Sequence, residues 1–256
     1  MDQWIALAED LAQASGRLIM DHYSRPVAVE TKSDKTPVTR ADREAEALMR
    51  GMIQQRFPDH QVVGEEQGRS GPEESPLQWM LDPIDGTKSF IRKVPLFGTL
   101  IALLEDGVPV IGVIHMPCSG ELLLGVRGRA TTLNGEPVRV SATAHLREAT
   151  VVVTSTADMQ RHGHGEPFRR LEGEVALVRS WGDCHGHLMV ATGRADVMLD
   201  PILAPWDVAA LRPCVEGAGG RLTDWNGEAR PLGESAISSN GLLHDDVLRW
   251  FGSGGE

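Results

Sequence analysis

The chain has 256 residues, 41% of them hydrophobic and 24% charged, with 25 Lys and Arg against 36 Asp and Glu and a formal net charge of -11. That length supports one large domain or two closely associated ones with a real core. The acidic excess argues against nucleic acid or an anionic membrane surface as the principal partner. In chain order, Trp4, Ile5, Leu7, Ala8, Leu11, Ala12, Leu18 and Ile19 recur at helical spacing, which predicts an amphipathic helix over roughly the first twenty residues. Thr31 to Val38, with Pro37, reads as a loop or short hairpin. A second helix is predicted from Thr39 or Ala41 to Phe57-Pro58. Gln61-Val62-Val63 and Trp79-Met80-Leu81 read as strands aimed at Gly64-Glu65 and at Asp82. Phe97 to Leu104, Val108 to Met116 and Glu121 to Val126 read as antiparallel strands, and Asn134-Gly135 as a hairpin turn before a strand at Val138-Arg139-Val140.

From about Thr150 strands alternate with helices: a strand at Val151–Val153, a helix near Met159–Leu171, a strand at Val175–Val178, a helix near His185–Thr192 and a strand at Ala195–Leu199. A helix, a strand and a helix then run from Asp207 to the C-terminus, with a disordered tail confined to Gly252–Glu256. The change of pattern predicts an antiparallel-rich half, residues 1–142, and an α/β half, residues 143–256, in one compact unit. Cys118, Cys184 and Cys214 are too few and too scattered for a disulfide framework or a metal knot. The start of the chain lacks the basic and apolar run of a signal peptide, and no apolar stretch has the length of a membrane span. A cytoplasmic location is the expectation.

The chemistry gathers in Leu81-Asp82-Pro83-Ile84-Asp85-Gly86-Thr87, read with Gly64-Glu65-Glu66 and Pro205-Trp206-Asp207. Carboxylates at strand ends attract hard divalent cations, and a Gly-Thr turn opening a helix offers N–H groups to a phosphate oxygen. Such cations would also offset the repulsion between an acidic protein and a phosphorylated substrate. Pro83 fixes φ and keeps Asp82 out of helical geometry, so Asp82 and Asp85 can be held at a defined spacing. Each residue also has a plainer role open to it. Asp85 and Asp207 could cap helices, Glu65-Glu66 could be an exposed turn, and Asp42 could counter a helix dipole. Glu65, directly after a strand and a glycine, is the better ligand candidate of its pair. If Asp42 met Thr87 in space, it could orient the Thr87 hydroxyl toward a metal-held water. The pairs His162-Gly-His164 and His185-Gly-His187 suit zinc poorly at two-residue spacing with no Cys pair to help. Surface or substrate-lining roles fit them better.

These residues resemble the inositol monophosphatase family of Mg²⁺-dependent phosphatases. The match rests on Gly64-Glu65-Glu66, Asp82-Pro83-Ile84-Asp85-Gly86-Thr87 and Trp206-Asp207-Val208-Ala209, with Thr39-Arg40-Ala41-Asp42 as an upstream element, in family order over nearly the whole chain. The resemblance implies a layered αβαβα sandwich of the inositol monophosphatase / fructose-1,6-bisphosphatase type, assembled as a homodimer. It implies a first Mg²⁺ on Glu65, Asp82 and the Ile84 carbonyl, a second on Asp82, Asp85 and Asp207, and a weaker third near Glu65. Gly86 and Thr87 would bind phosphate through backbone N–H groups. Asp42 and Thr87 would help activate the attacking water, with Glu65 beside them, and no covalent phosphoenzyme is implied.

Lys88-Ser89-Phe90-Ile91, Pro95-Leu96-Phe97-Gly98-Thr99 and Trp181-Gly182-Asp183-Cys184 are similar to the histidinol-phosphatase branch of that family. So is Ala191-Thr192-Gly193-Arg194-Ala195-Asp196. By resemblance Asp183 and Asp200 would contact the part of the substrate beyond the phosphate, where the ammonium and imidazole of histidinol phosphate suit acidic partners. The branch commonly has an aromatic residue where this chain has His185, which can still stack on or hydrogen-bond to an imidazole. The plainer roles open to them are a helix cap for Asp183 and an Asp-Pro turn for Asp200. The expectation is a Mg²⁺-dependent histidinol-phosphatase acting on a small-molecule phosphate monoester. An inositol-1-phosphatase or a broad sugar-phosphate phosphatase is the alternative, and a non-catalytic metal-binding regulator the remote one.

Overall fold

The computed structural model describes residues 1–26, 29–31 and 37–251. In chain order its elements are α1 (Asp2–Tyr23), β1 (Val29–Thr31), β2 (Pro37–Thr39), α2 (Arg40–Arg56), β3 (Gln61–Gly64), β4 (Gly68–Ser70) and β5 (Leu77–Asp85). Then come α3 (Thr87–Phe90), β6 (Gly98–Glu105), β7 (Val108–Met116), β8 (Glu121–Val126), β9 (Thr132–Leu133) and β10 (Glu136–Pro137). After a 3₁₀ turn at Leu146–Glu148 follow β11 (Thr150–Val153), α4 (Thr156–Arg161), α5 (Gly165–Glu172), β12 (Leu177–Arg179), α6 (Asp183–Ala191) and β13 (Val197–Asp200). The chain closes with α7 (Pro205–Gly217), β14 (Arg221–Thr223), β15 (Ala236–Ser239) and α8 (His244–Phe251).

Two sheets carry the architecture. One has eight strands in the order β10-β9-β8-β7-β6-β5-β3-β4, the other five in the order β12-β11-β13-β15-β14. Side-chain alternation sorts the first sheet cleanly, because neighbours along a strand point to opposite faces. Trp79, Leu81, Ile101 and Leu103 pack with Leu7, Leu11, Met49 and Ile53 of α1 and α2. Their neighbours Met80, Leu100, Ala102 and Leu104 pack with Leu188 of α6 and with Ala209, Ala210 and Cys214 of α7. The second sheet turns Val152 and Met198 toward Met189 and Val190 of α6. Val151, Val153, Val197 and Leu199 face Met159, Phe168, Leu171 and Val247 of α4, α5 and α8. The layers therefore run helix, sheet, helix, sheet, helix, the predicted αβαβα sandwich. Among the described residues no helix is long and apolar enough to cross a membrane.

Several local expectations need correction. The helix predicted over Met159–Leu171 is two helices, α4 and α5, broken where Gly163 takes a left-handed φ of 82°. Val138–Val140 forms no strand. The Asn134-Gly135 turn joins β9 to β10, and Pro137, with no N–H to give, ends the ladder. The strand predicted at Val175–Val178 lies at Leu177–Arg179. The single C-terminal strand is an antiparallel pair, β14 and β15. The segment read as a loop or hairpin is flanked by β1 and β2, which pair antiparallel, while residues 32–36 lie outside the described residues, as does the predicted tail at 252–256.

Candidate active site

The site is organised by a bulge. In β5 Asp82 pairs with Leu100 and Asp85 with Gly98, so Pro83 and Ile84 together stand opposite Thr99. Thr99 Oγ1 donates to the Pro83 carbonyl at 2.9 Å. Proline brings no N–H to the ladder, and an extra residue shifts strand parity. Asp82 and Asp85, an odd number of residues apart, would otherwise face opposite sides. Here both line one cavity of ≈ 400 Å³.

Parallel pairing of β3 with β5, Gly64 opposite Leu81, sets Glu65 next to Asp82, and the Glu65 N–H donates to the Leu81 carbonyl at 3.1 Å. The turn after β3 is fixed from behind by Glu46 of α2, a fully buried carboxylate that sequence reasoning passed over. It accepts N–H groups from Glu66 at 2.7 Å and Gln67 at 3.0 Å and pairs with Arg50 Nε at 2.7 Å. A Cβ on Gly64 would lie 2.3 Å from the Glu46 carboxyl carbon, which is why a glycine stands there. The one sequence signal for Glu46 is its i,i+4 spacing to Arg50.

Asp207 sits in the first turn of α7. Its Oδ2 accepts the N–H of the N-cap residue Ala204 at 2.8 Å, while Oδ1 is buried with no partner. Asp85 accepts the Cys184 N–H and so ties β5 to the start of α6. Burial pushes Asp82 well above the ordinary carboxylate range, reinforced by Glu65, Asp207 and Asp85. Burial, then Asp85, does the same to Asp207. Asp85 is raised by burial too, against the N–H groups of Cys184 and Gly86 that it accepts.

Beyond the bulge Gly86 takes φ +80° and caps α3, with the Leu96 carbonyl 2.9 Å from where a Cβ would sit. Thr87 Oγ1 donates to the Ile84 carbonyl at 3.0 Å, and Ile84 N–H donates to Asp82 Oδ1 at 3.0 Å. Asp42 and Thr87 are not hydrogen-bonded to each other. Asp42 accepts the N–H of Thr39 at 2.8 Å and its hydroxyl at 2.5 Å, capping α2, and burial raises its pKa. Asp183 lines the cavity with an unusual backbone, φ +50°, and its Oδ2 stands 3.2 Å from the Cβ position of Gly86. Burial, then Asp85, pushes its pKa up to about 7, while Lys88 pulls it down. Lys88 and the apolar wall of Ile202, Leu203 and Trp206 were not singled out from sequence for contact with the cavity that they line.

Asp200 and His185 stand apart from the cavity. Asp200, 3% exposed, accepts the Thr154 hydroxyl at 2.9 Å and lies 4.0 Å from His187 Nε2. His187 is a core residue rather than a surface or substrate-lining one. Its Nδ1 meets Ser238 Oγ at 2.7 Å, and burial pushes its pKa down to about 3, so the contact with Asp200 is no ion pair. His185 has Arg194 and Glu121 for charged neighbours. His164 stacks on Trp225 at 3.9 Å, and His162 is exposed.

The donor set around the cavity is all oxygen and mostly anionic, the chemistry of hard divalent cations, and Asp207 Oδ1 is a buried carboxylate oxygen with no partner. Among the described residues, no three His, Cys, Asp or Glu side chains converge closely enough to close a coordination shell. Carboxylates with no cation between them repel one another, so the donors fit such an ion without being collapsed onto its position.

Residues 1–249 match the inositol monophosphatase family. A relative from Chlorobaculum parvum named histidinol-phosphatase is 42% identical over 98% of this chain and 97% of its own length. A Thermotoga maritima protein named fructose-1,6-bisphosphatase/inositol-1-monophosphatase is 35% identical over 93% of this chain and 92% of its own. Among solved structures, an IMPase of Thermotoga maritima superimposes with a TM-score of 0.89 at 34% identity, covering 98% of this chain and 97% of that one.

Proposed function

Because the chain belongs to the inositol monophosphatase family, we propose that this phosphatase is a Mg²⁺-dependent histidinol-phosphatase, releasing phosphate from L-histidinol phosphate. The observation that carries the substrate assignment is Asp183, a carboxylate held beside the Gly86 turn on the wall of the cavity. Phosphate seated at that turn would leave the rest of the ester facing Asp183, where an ammonium or imidazolium gains a charged partner and a neutral polyol does not. The name and 42% identity of the Chlorobaculum relative agree with this reading.

Glu65, Asp82, Asp85, Asp207 and the Ile84 carbonyl would hold the metal, with two to three ions per subunit and a homodimer as the assembly. Bound Mg²⁺ supplies Lewis-acid charge that offsets the phosphate oxygens and lowers the pKa of water. The chain's own part is positioning. The bulge at Pro83-Ile84 fixes the spacing of Asp82 and Asp85, and Thr87 and Lys88 present N–H groups that open α3 without helical acceptors. The Thr87 hydroxyl, now on the Ile84 carbonyl, would orient the attacking water, with Asp42 one layer behind as part of the α2 cap. Trp206, Leu203 and Ile202 give one side of the cavity an apolar wall.

The test is phosphate release from histidinol phosphate and inositol-1-phosphate side by side, in Mg²⁺ and in EDTA. The expected result is activity in Mg²⁺ alone and a kcat/KM preference for histidinol phosphate of about a hundredfold or more. Comparable rates would leave a generalist phosphatase and make Asp183 structural.

A further inference from the structure

Among the described residues, Asp183 is the single residue of the cavity wall in the left-handed region other than glycine, and something must hold it there. The structure assigns that work to Thr154: its hydroxyl positions the Asp183 carboxylate, and Asp200 acts through Thr154 instead of touching substrate. This deepens the histidinol-phosphatase reading and rests on it for the identity of the substrate.

The geometry is a directed chain. The Asp183 N–H donates to Thr154 Oγ1 at 2.8 Å, and the Thr154 hydroxyl donates to Asp200 Oδ2 at 2.9 Å. A hydroxyl has one proton, so while Asp200 accepts it, the oxygen lone pairs face Asp183. Asp200 therefore sets the polarity of the contact that Asp183 receives. Its own place is fixed. It ends β13, where Leu199 pairs with Val153, so Thr154 just beyond β11 lies alongside it. The Asp200 carbonyl accepts the Trp225 indole N–H at 3.0 Å.

The approach of the two backbones admits no slack. A Cβ on Gly182 would fall 2.1 Å from Thr154 Cα, so α6 begins in contact with the end of β11. The backbone of Asp183 is thereby gripped from two sides, by Thr154 at its N–H and by the contact at Gly182. Its carboxylate is delivered over the Gly86 turn, 3.2 Å from the Gly86 Cβ position. Neither Thr154 nor Asp200 lines the cavity, so both are positioning residues.

Thr154→Val removes the hydroxyl at nearly constant volume, and Thr154→Ser keeps it. The assay compares kcat/KM on histidinol phosphate with that on p-nitrophenyl phosphate, which has the ester but no cation. In Thr154→Val the ratio of the two should fall about tenfold or more, with the aryl ester within about twofold of wild type, and Thr154→Ser should restore it. Equal losses on both esters, or no change on either, would overturn the assignment. A crystal structure of Thr154→Val gives the second readout. Asp183 should leave the left-handed region or move its carboxylate by about 1 Å or more, a displacement large enough to matter for substrate alignment. If φ stays near +50° with the carboxylate in place, the inference fails. If the wild-type enzyme itself shows no preference for the cationic ester, the substrate reading has failed, and the crystal structure decides the role of Thr154 alone. Should Thr154→Val not fold, Asp200→Ala tests the same chain and is expected to lower the same ratio.

Discussion

Asp82 and Asp85 stand three residues apart on one strand and still face the same cavity, because Pro83 and Ile84 bulge out opposite the single residue Thr99. That geometry concentrates negative charge: burial, then Glu65, Asp207 and Asp85, raise the Asp82 pKa well above its ordinary value. The fold thus carries a cost at this place that a bound cation would relieve. Removing one charge should stabilise the metal-free protein and disable the enzyme together. For Asp82→Asn we expect kcat in Mg²⁺ to fall at least ~10³-fold, the equivalent of ~4 kcal/mol. In EDTA its Tm should rise by ~2–4 °C, as for a gain on the order of 1 kcal/mol in a chain of this size. A lower Tm in EDTA would mean that Asp82 is held by attraction that outweighs the repulsion.

On the proposed reading, Asp183 would serve recognition rather than chemistry. Its carboxylate flanks the Gly86 turn but is no part of the proposed metal set. Asp183→Asn keeps the shape and removes the charge. Losing a charge-assisted contact worth ~1.5–3 kcal/mol should lower kcat/KM for histidinol phosphate ~10–100-fold. The p-nitrophenyl ester should be nearly unaffected. Equal losses on both would place Asp183 in support of the phosphate turn instead.

Glu46 links the stability of the fold to the placement of Glu65. It is completely buried, pairs with Arg50, itself 12% exposed, and takes the N–H groups of Glu66 and Gln67. Glu46→Ala leaves the Glu66 and Gln67 N–H groups and Arg50 Nε without their buried acceptor, while the guanidinium keeps Ser70 and the Gly68 carbonyl, a loss on the order of 3 kcal/mol. Glu46→Gln is the sharper probe, since it keeps an acceptor and the volume. We expect the Mg²⁺ concentration for half-maximal activity to rise several-fold with a smaller change in maximal rate. Unchanged Mg²⁺ dependence would show that the turn at Glu65 holds its place without that carboxylate.

The motif residues of the cavity were legible because their chemistry and their local geometry are written in the same few positions. Asp82-Pro83-Ile84-Asp85-Gly86-Thr87 announces a strand end, a proline interruption and a helix start, and these elements are where the structure has them. The layered sheets were legible for a similar reason, since alternating apolar residues in β5 and β6 demand helices on both faces. What escaped was long-range. Glu46 meets its turn some twenty residues away and Thr154 meets Asp183 across two elements, with no local pattern to mark either. Asp200 and His185 carry the right chemistry, but side-chain direction is decided by packing around β13 and α6. Neither residue lines the cavity. The break between α4 and α5 was hidden because the apolar spacing of Met159, Phe168 and Leu171 continues across it, while Gly163 turns the chain.

Two buried histidines predict how the fold fails in acid. Burial holds His187 down to about 3 and His244 to about 4, against an ordinary 6.5. Both are enclosed by hydroxyls: Ser238 for His187, and Thr223 and Ser239 for His244. For a base with a depressed folded pKa, the unfolded chain binds protons first. The stability from keeping the ring neutral is full above pH 6.5 and is lost as pH falls toward the folded values of 4 and 3. Asp200, 4.0 Å from His187, works in the opposite sense. Burial raises its folded pKa, so its penalty fades as pH falls through that value. The two effects separate in a variant. The buried carboxylates of the cavity, Asp82 and Asp207 among them, also stabilise the metal-free fold as pH falls, so denaturant unfolding in EDTA at pH values of about 7.5, 6.0 and 4.5 is read as the difference between wild type and variant. His187→Asn, which can still pair with Ser238 and does not titrate, should gain stability relative to wild type as pH falls. One proton taken up by the unfolded chain alone costs ~1.4 kcal/mol for each pH step of one, so the two profiles should diverge by a few kcal/mol across the range. Parallel slopes would show that His187 stays protonated inside the fold, with Asp200 as its counter-ion.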